Sequence, residues 1–189
     1  MAAVVLAGGR SRRLGGVDKP SLTVAGRSLL DGVLAACVGA EPIVVVGPRR
    51  STRQAVLWTR EHPAHSGPVA ALAAGLQVIP PNVPLCAVLA ADLPRMRADT
   101  LGRLRAALVD RADQRIDGAV LVDAQGRRQW LCGVWRTAAL HAGLRAIADP
   151  ANVPMHVLLG GLNCATLPAE ADEALDVDTP EDLRAARQC

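Results

Sequence analysis

Apolar runs without strict alternation recur along the chain, and amphipathic stretches separate them. Ala2–Ala7, Pro42–Val46, Pro84–Ala90 and Gly118–Val122 are short and apolar throughout, which predicts strands buried on both faces. Ser28–Val38, Val69–Val78, Asp99–Val109 and Thr137–Ile147 carry apolar residues at the helical period and predict helices. Val153–Leu159 predicts a further short helix, and Glu181–Arg187 closes the chain as another. Strand alternating with helix implies a mostly parallel sheet covered on both faces. Right-handed crossovers then give a three-layer, Rossmann-like α/β domain. The pattern changes at 123–126. Val120–Val122, the polar turn DAQG and Arg128–Trp135 predict two strands joined by a tight connection, with an antiparallel strand entering at the sheet edge. No internal repeat or low-complexity segment is present, and the prolines at 80, 81 and 84 fall in a loop between elements. At 189 residues the simplest organisation is one domain, 1–189.

The first strand runs directly into Leu6–Lys19, LAGGRSRRLGGVDK, which holds Gly8, Gly9, Gly15, Gly16, Arg10, Arg12, Arg13, Asp18 and Lys19. Glycines let backbone N–H groups approach an anion closely. From Arg10 to Lys19 the local charge is +3, equal to the formal charge of the whole chain, so the remainder sums to zero. A phosphate-bearing ligand follows. The loop is not a Walker motif, which needs Gly-Lys-Ser/Thr opening a helix. Here Pro20, which disfavours the helical region for the residue before it, is expected to keep an α-helix from opening at Lys19. Nor is it G-x-G-x-x-G, since Gly8 and Gly9 are adjacent. An open loop with Lys19 at its far end suits wrapping a triphosphate.

A bound triphosphate commonly carries a divalent cation, Mg²⁺ or Mn²⁺, which calls for carboxylates nearby. In open α/β sheets ligands gather at the carboxyl ends of the strands. VPLCAVLAADLP gives a buried strand ending in Asp92, with Pro94 helping to stop it. An aspartate there could also cap the next helix; beside the glycine loop it reads as a metal ligand. The second candidate is ALDVDTPEDL, residues 174–183. Thr179 caps a helix whose first residue is Pro180, with Glu181 and Asp182 in the first turn. That cap leaves Asp176 and Asp178 unexplained; spaced by two, they share one side of an extended segment. Gly67 and Pro68 open a helix of small residues.

Composition narrows the field. Half the residues are apolar, Tyr and Phe are absent, and Trp58, Trp130 and Trp135 are the only aromatics. That argues against nucleic-acid recognition by base stacking. No segment approaches the roughly 18 apolar residues of a membrane span, and the amino end lacks the basic region of a signal peptide. The five cysteines are widely spaced, without a C-x-x-C pair. They read as reduced thiols of a cytoplasmic protein, several buried, with no zinc site.

LAGG-x-S-x-R-L-G-G-x-D-K resembles the signature of the nucleotidyltransferases of the molybdenum cofactor guanylyltransferase (MobA) type, whose cytidylyltransferase relatives more often read LAAG. The resemblance covers the chain from the first strand to DVDTPEDL, with the first loop its most specific part. It implies the nucleotide-diphospho-sugar transferase fold and places Asp92 in the family's x-D-x-P metal context. It implies that Leu6, Ala7, Gly8, Gly9, Arg13, Lys19, His62, Gly67, Pro68 and Asp92 bind the nucleotide, with Arg13, Lys19 and Asp92 catalytic. Asp92 and Asp178 would hold the metal and Asp176 the acceptor; Arg128, beside the apolar strand WLCGVW, is a candidate from its own position to face an anionic acceptor. Ala71 replaces the second glycine of the family's G-P-L-A-G, and Gly47 stands where the family has Asn. The implied reaction is Mg²⁺-dependent transfer of GMP from GTP to a molybdopterin-type phosphate, with pyrophosphate released. Molybdoenzyme assembly proteins are implied partners; nucleic acid and membrane are not. Transfer of CMP or another nucleotide to a different phosphate, and a non-catalytic nucleotide sensor, are the alternatives.

Overall fold

The structure, a computed structural model, describes residues 1–9, 16–109, 115–170 and 173–188. In chain order the elements are β1 (Ala2–Leu6), a 3-10 turn (Lys19–Ser21), β2 (Thr23–Val24), β3 (Arg27–Ser28), α1 (Leu29–Ala36), β4 (Ile43–Val46), β5 (Leu57–Thr59), α2 (Pro68–Leu76), β6 (Leu85–Ala90), α3 (Ala98–Val109), β7 (Gly118–Val122), β8 (Arg128–Arg136), α4 (Thr137–Arg145), α5 (Met155–Leu159), β9 (Cys164–Pro168) and α6 (Pro180–Arg187).

Seven strands form one sheet in the order β5-β4-β1-β6-β8-β7-β9, and β2 and β3 make a small separate ribbon. The pairs β1–β4, β1–β6, β4–β5 and β7–β9 are parallel. β8 runs antiparallel to both its neighbours, β6 and β7. The hairpin after β7 therefore exists, but its second strand lies inside the sheet rather than at its edge. The edge beyond β7 belongs to β9, whose residues are mostly half-buried or exposed and end in Pro168. That proline has no ladder N–H to give, as an edge tolerates.

Strand alternation sorts the core into two layers. Ala3, Val5, Val45, Ala87 and Leu89 pack with Leu30 and Leu34 of α1 and Leu101 and Leu104 of α3. Ala2, Val4, Val44, Val46 and Val88 pack on the opposite face with Val69, Leu72 and Leu76 of α2, Leu140 of α4 and Leu158 of α5. A third cluster, Val24, Leu29, Val177 and Ala186, fastens α6 and the segment before it against the small ribbon. The buried thiols of Cys37, Cys86 and Cys132 are each pushed up to about 12 by burial, and their Sγ atoms act as core hydrophobes. Cys189 lies outside the described residues. Among the described residues no helix is long and apolar enough to cross a membrane.

The parallel strands bring their carboxyl ends to one rim. Ala7 continues β1 by donating its N–H to Val46 O at 2.8 Å, and Ala91 N–H reaches Leu6 O at 3.0 Å. Gly47 leaves β4 with φ +147°, where a Cβ would stand 2.8 Å from the Ala7 carbonyl oxygen. Gly47→Ala is expected to cost about 1–3 kcal/mol, because both the backbone region and the space exclude a side chain. The urea midpoint reads this; an unchanged midpoint would mean the loop can step away from β1.

Candidate active site

At this rim β1 delivers Leu6 to Gly9, β4 delivers Gly47 to Arg50, and β6 delivers Asp92. α2 points its amino end, Gly67 and Pro68, at the same place. Gly67 adopts φ +91°, and a Cβ there would press on the Asn152 backbone at 3.2 Å. Two connected hollows result. One of about 360 Å³ is lined by Gly8, Gly9, Gly16, Asp18, Arg50 and Glu61, among others. The second, about 470 Å³, includes Leu6, Gly67, Pro68, Asp92, Leu131 and Asn152. Gly8, Gly9, Glu61 and His65 line both, so the hollows form a single cleft.

The acidic groups converge on Lys19. Its Nζ lies 2.5 Å from Asp92 Oδ2 and 2.6 Å from Asp178 Oδ1. The Lys19 side chain is only 13% exposed. Burial pushes its ammonium pKa down, but the Asp92 charge and the bonds to Asp178 and Asp92 more than offset this, leaving it above the ordinary value. Residues 176–178 reach this spot by three anchors. Val177 N–H donates to Asp92 O at 3.2 Å. Upstream, the buried Glu173 accepts from Thr100 Oγ1 and Arg103 Nη2, each at 2.5 Å. Burial would raise the Glu173 carboxyl; the bonds from Arg103 and Thr100 win and hold it below the usual range. Downstream, Thr179 caps α6 by accepting from Asp182 N–H, and the Asp182 carboxylate accepts from the N–H groups of Thr179 and Asp178. Asp176 stands at the exposed rim beside them. Crowding of its carboxyl by protein atoms, then repulsion from Asp178 and Asp92, raises its pKa.

Asp92 Oδ1 is buried and has no hydrogen-bond partner among the described residues. An unpartnered buried carboxylate oxygen is costly unless a ligand or cation completes it. No cluster of three or more His, Cys, Asp or Glu side chains forms a metal cage among the described residues. Mg²⁺ does not require such a cage: it takes one or two carboxylates and fills its shell with water and phosphate oxygens. Asp92 and Asp178 fit such an ion.

The remaining predicted residues fall as follows. Leu6, Gly8, Gly9, Gly67 and Pro68 line the cleft, and Ala7 is buried behind it. Arg13 lies outside the described residues, as do Arg10, Arg12 and Gly15. His62 is exposed and outside the lining; Glu61 and His65 on either side of it are the residues that face the cleft. Glu61 is 8% exposed, and its Oε1 accepts the His65 backbone N–H at 2.8 Å. Arg128 is exposed, its guanidinium 5.5 Å from the Trp130 ring centroid, and it starts the strand whose Leu131 lines the cleft. Sequence reasoning passed over Arg50, Glu61 and Asn152. A basic residue just beyond the end of the buried strand Pro42–Val46 was the available signal for Arg50.

The MobA-like NTP transferase domain matches residues 3–160. The chain belongs to the MobA-like NTP transferase family. A molybdenum cofactor guanylyltransferase of Acidiphilium cryptum is 31% identical, covering 98% of this chain and 93% of its own. One of Mesorhizobium japonicum is 31% identical over 80% of this chain and 74% of its own. Among solved structures, molybdopterin-guanine dinucleotide biosynthesis protein A of Archaeoglobus fulgidus superposes with a TM-score of 0.74 at 22% identity, covering 100% of this chain and 97% of that one. The 2-C-methyl-D-erythritol 4-phosphate cytidylyltransferase of Thermus thermophilus has the same fold, with a TM-score of 0.69 at 21% identity and coverage of 99% and 97%. The protein is thus a nucleotidyltransferase with the mixed, mostly parallel sheet of that superfamily.

Proposed function

We propose that this transferase moves GMP from GTP to the terminal phosphate of molybdopterin or its molybdenum form, making the guanine dinucleotide cofactor. The observation that carries the reading is the meeting of Lys19, at the end of the glycine loop, with Asp92, at the tip of β6, 2.5 Å apart. Two segments far apart in sequence thereby share one cleft, and Asp92 keeps a buried oxygen in reserve.

An oxygen of the acceptor phosphate attacks the α-phosphorus of GTP. The bond to the bridging oxygen of the β-phosphate breaks, and pyrophosphate departs with the electron pair. A phosphate is already ionised near neutral pH, so no general base is required. Catalysis rests on positioning and on neutralising charge. The backbone of Gly8 and Gly9 and the amino end of α2 hold the nucleotide against the rim. Lys19 turns from the carboxylates to the triphosphate and balances charge on the departing pyrophosphate; Arg13 assists from the same loop. Asp92, with Asp178 beside it, would hold a divalent cation, which would supply positive charge to the reacting phosphates. Asp176 and Arg128 flank the acceptor side.

Glu61 supports guanine as the base. Guanine offers N–H donors at N1 and N2 on its pairing edge, which a buried carboxylate accepts together. The test is pyrophosphate release with molybdopterin present and each of the four NTPs in competition. GTP is expected to be consumed preferentially, and Glu61→Gln to shrink that preference about tenfold or more, the scale of one hydrogen bond to a charged group. Equal or better use of CTP would replace guanine in the reading. Tight GTP binding without pyrophosphate release would make the protein a sensor.

A further inference from the structure

We propose that Arg50 is a positioning residue that sets the reach of Lys19 by gripping Asp18, the residue before it. The inference rests on reading the cleft as a nucleotide site. Arg50 donates from Nε to Asp18 Oδ2 at 2.7 Å and from Nη2 to Asp18 Oδ1 at 2.5 Å. Its Nη1 donates to Pro48 O at 2.9 Å. The Arg50 side chain is 12% exposed. A two-point guanidinium–carboxylate pair fixes orientation as well as distance, which a lysine cannot do. Asp18 Oδ2 also accepts from Ser21 Oγ, so this carboxylate ties both sides of Lys19 together.

The other end of the link is rigid. Arg50 hangs from Gly47, which abuts the Ala7 carbonyl at the end of β1. The chain of contacts runs from the central strand through Gly47 and Arg50 to Asp18, and from there to the Lys19 backbone. Lys19 itself meets the sheet rim through Asp92, and the Arg50 pair adds a second charged tie one residue earlier. The Arg50 bond, with that of Ser21, outweighs burial and holds the Asp18 carboxyl below its usual range, so the grip persists at neutral pH. Arg50 also lines the cleft, so direct contact with the triphosphate is the rival role.

A double-mutant cycle separates the two. Arg50→Ala, Asp18→Asn, the double variant and Arg50→Lys are compared by kcat and KM for GTP, with thermal melts as a check on folding. Each single change is expected to lower kcat/KM on the order of 10- to 100-fold, because a displaced Lys19 no longer meets the reacting groups. The double variant should lose no more than the worse single, since both changes cut one link. In a Lys19→Ala background, Arg50→Ala should add no further loss. Arg50→Lys should recover part of the rate, and it keeps the test sound if the alanine variant unfolds. Losses that multiply in the double variant would show Arg50 acting on the nucleotide itself. Wild-type rates in folded Arg50→Ala would show the link to be idle. Either result overturns the proposal while leaving the transferase reading intact. A wild-type protein that releases no pyrophosphate from any NTP would remove both.

Discussion

Lys19→Ala is expected to lose about 100- to 1000-fold in kcat/KM for GTP, the scale seen when one preorganised group facing transition-state charge is removed. The loss follows from where the ammonium is held. It is charged, shielded from water and fixed between two carboxylates at the point where pyrophosphate would leave. A structural consequence accompanies it. The side chain is 13% exposed and sits between the carboxylates of Asp92 and Asp178. Without it two like charges share one site, which disfavours the ionised pair. The variant should therefore melt earlier than the wild type in metal-free buffer, and Mg²⁺ should restore its Tm by more than it raises that of the wild type. Melts with and without Mg²⁺, beside steady-state kinetics, check both halves. Wild-type turnover would take Lys19 out of the mechanism, and an unchanged melting point would mean that the pair contributes little to stability.

Asp92→Asn is expected to lower kcat by about 100-fold or more and to leave a residual rate that no longer responds to Mg²⁺, since cation-assisted charge stabilisation depends on the ligand that holds the ion. Asparagine keeps the shape of the side chain but gives up the charge and turns one oxygen into a donor. The affected carboxylate is the one whose Oδ1 is buried without a partner. Asp178→Asn should act in the same direction and more weakly, since the Asp178 side chain is 45% exposed and stands farther into solvent. A Mg²⁺ titration of pyrophosphate release and Mn²⁺ binding followed by electron paramagnetic resonance distinguish the two sites. An unchanged half-saturating Mg²⁺ concentration in Asp92→Asn would contradict the ligand assignment.

The strands that carry this chemistry were legible because burial on both faces leaves nearly uninterrupted apolar runs. Ala2–Leu6, Ile43–Val46 and Leu85–Ala90 announce themselves, and each ends where a site residue begins. The cap at Thr179 was readable because its partners lie within four residues. β5 was not readable: Leu57–Thr59 is three residues long, with no fully buried position. β9 escaped for a similar reason, and without it β8 looked like an edge. Single residues posed a different difficulty. Lys19 and Asp92 could be named from local context, but their pairing across the rim depends on the parallel register of β1 and β6. Arg50 shows locally only as a basic residue just past a buried strand, and Glu61 carries no local signal of its proposed role. Arg50 gains its role from the turn at Gly47, and Glu61 from the fold of the loop that buries it.

The most direct measurement is a crystal structure with GTP and Mn²⁺, the cation located by its anomalous scattering. The account predicts the triphosphate along Gly8, Gly9 and Lys19, with Mn²⁺ bound to the Asp92 carboxylate and to an oxygen of the α-phosphate. A nucleotide seated away from the carboxyl ends of β1 and β6, or a cation that leaves Asp92 untouched, would contradict it.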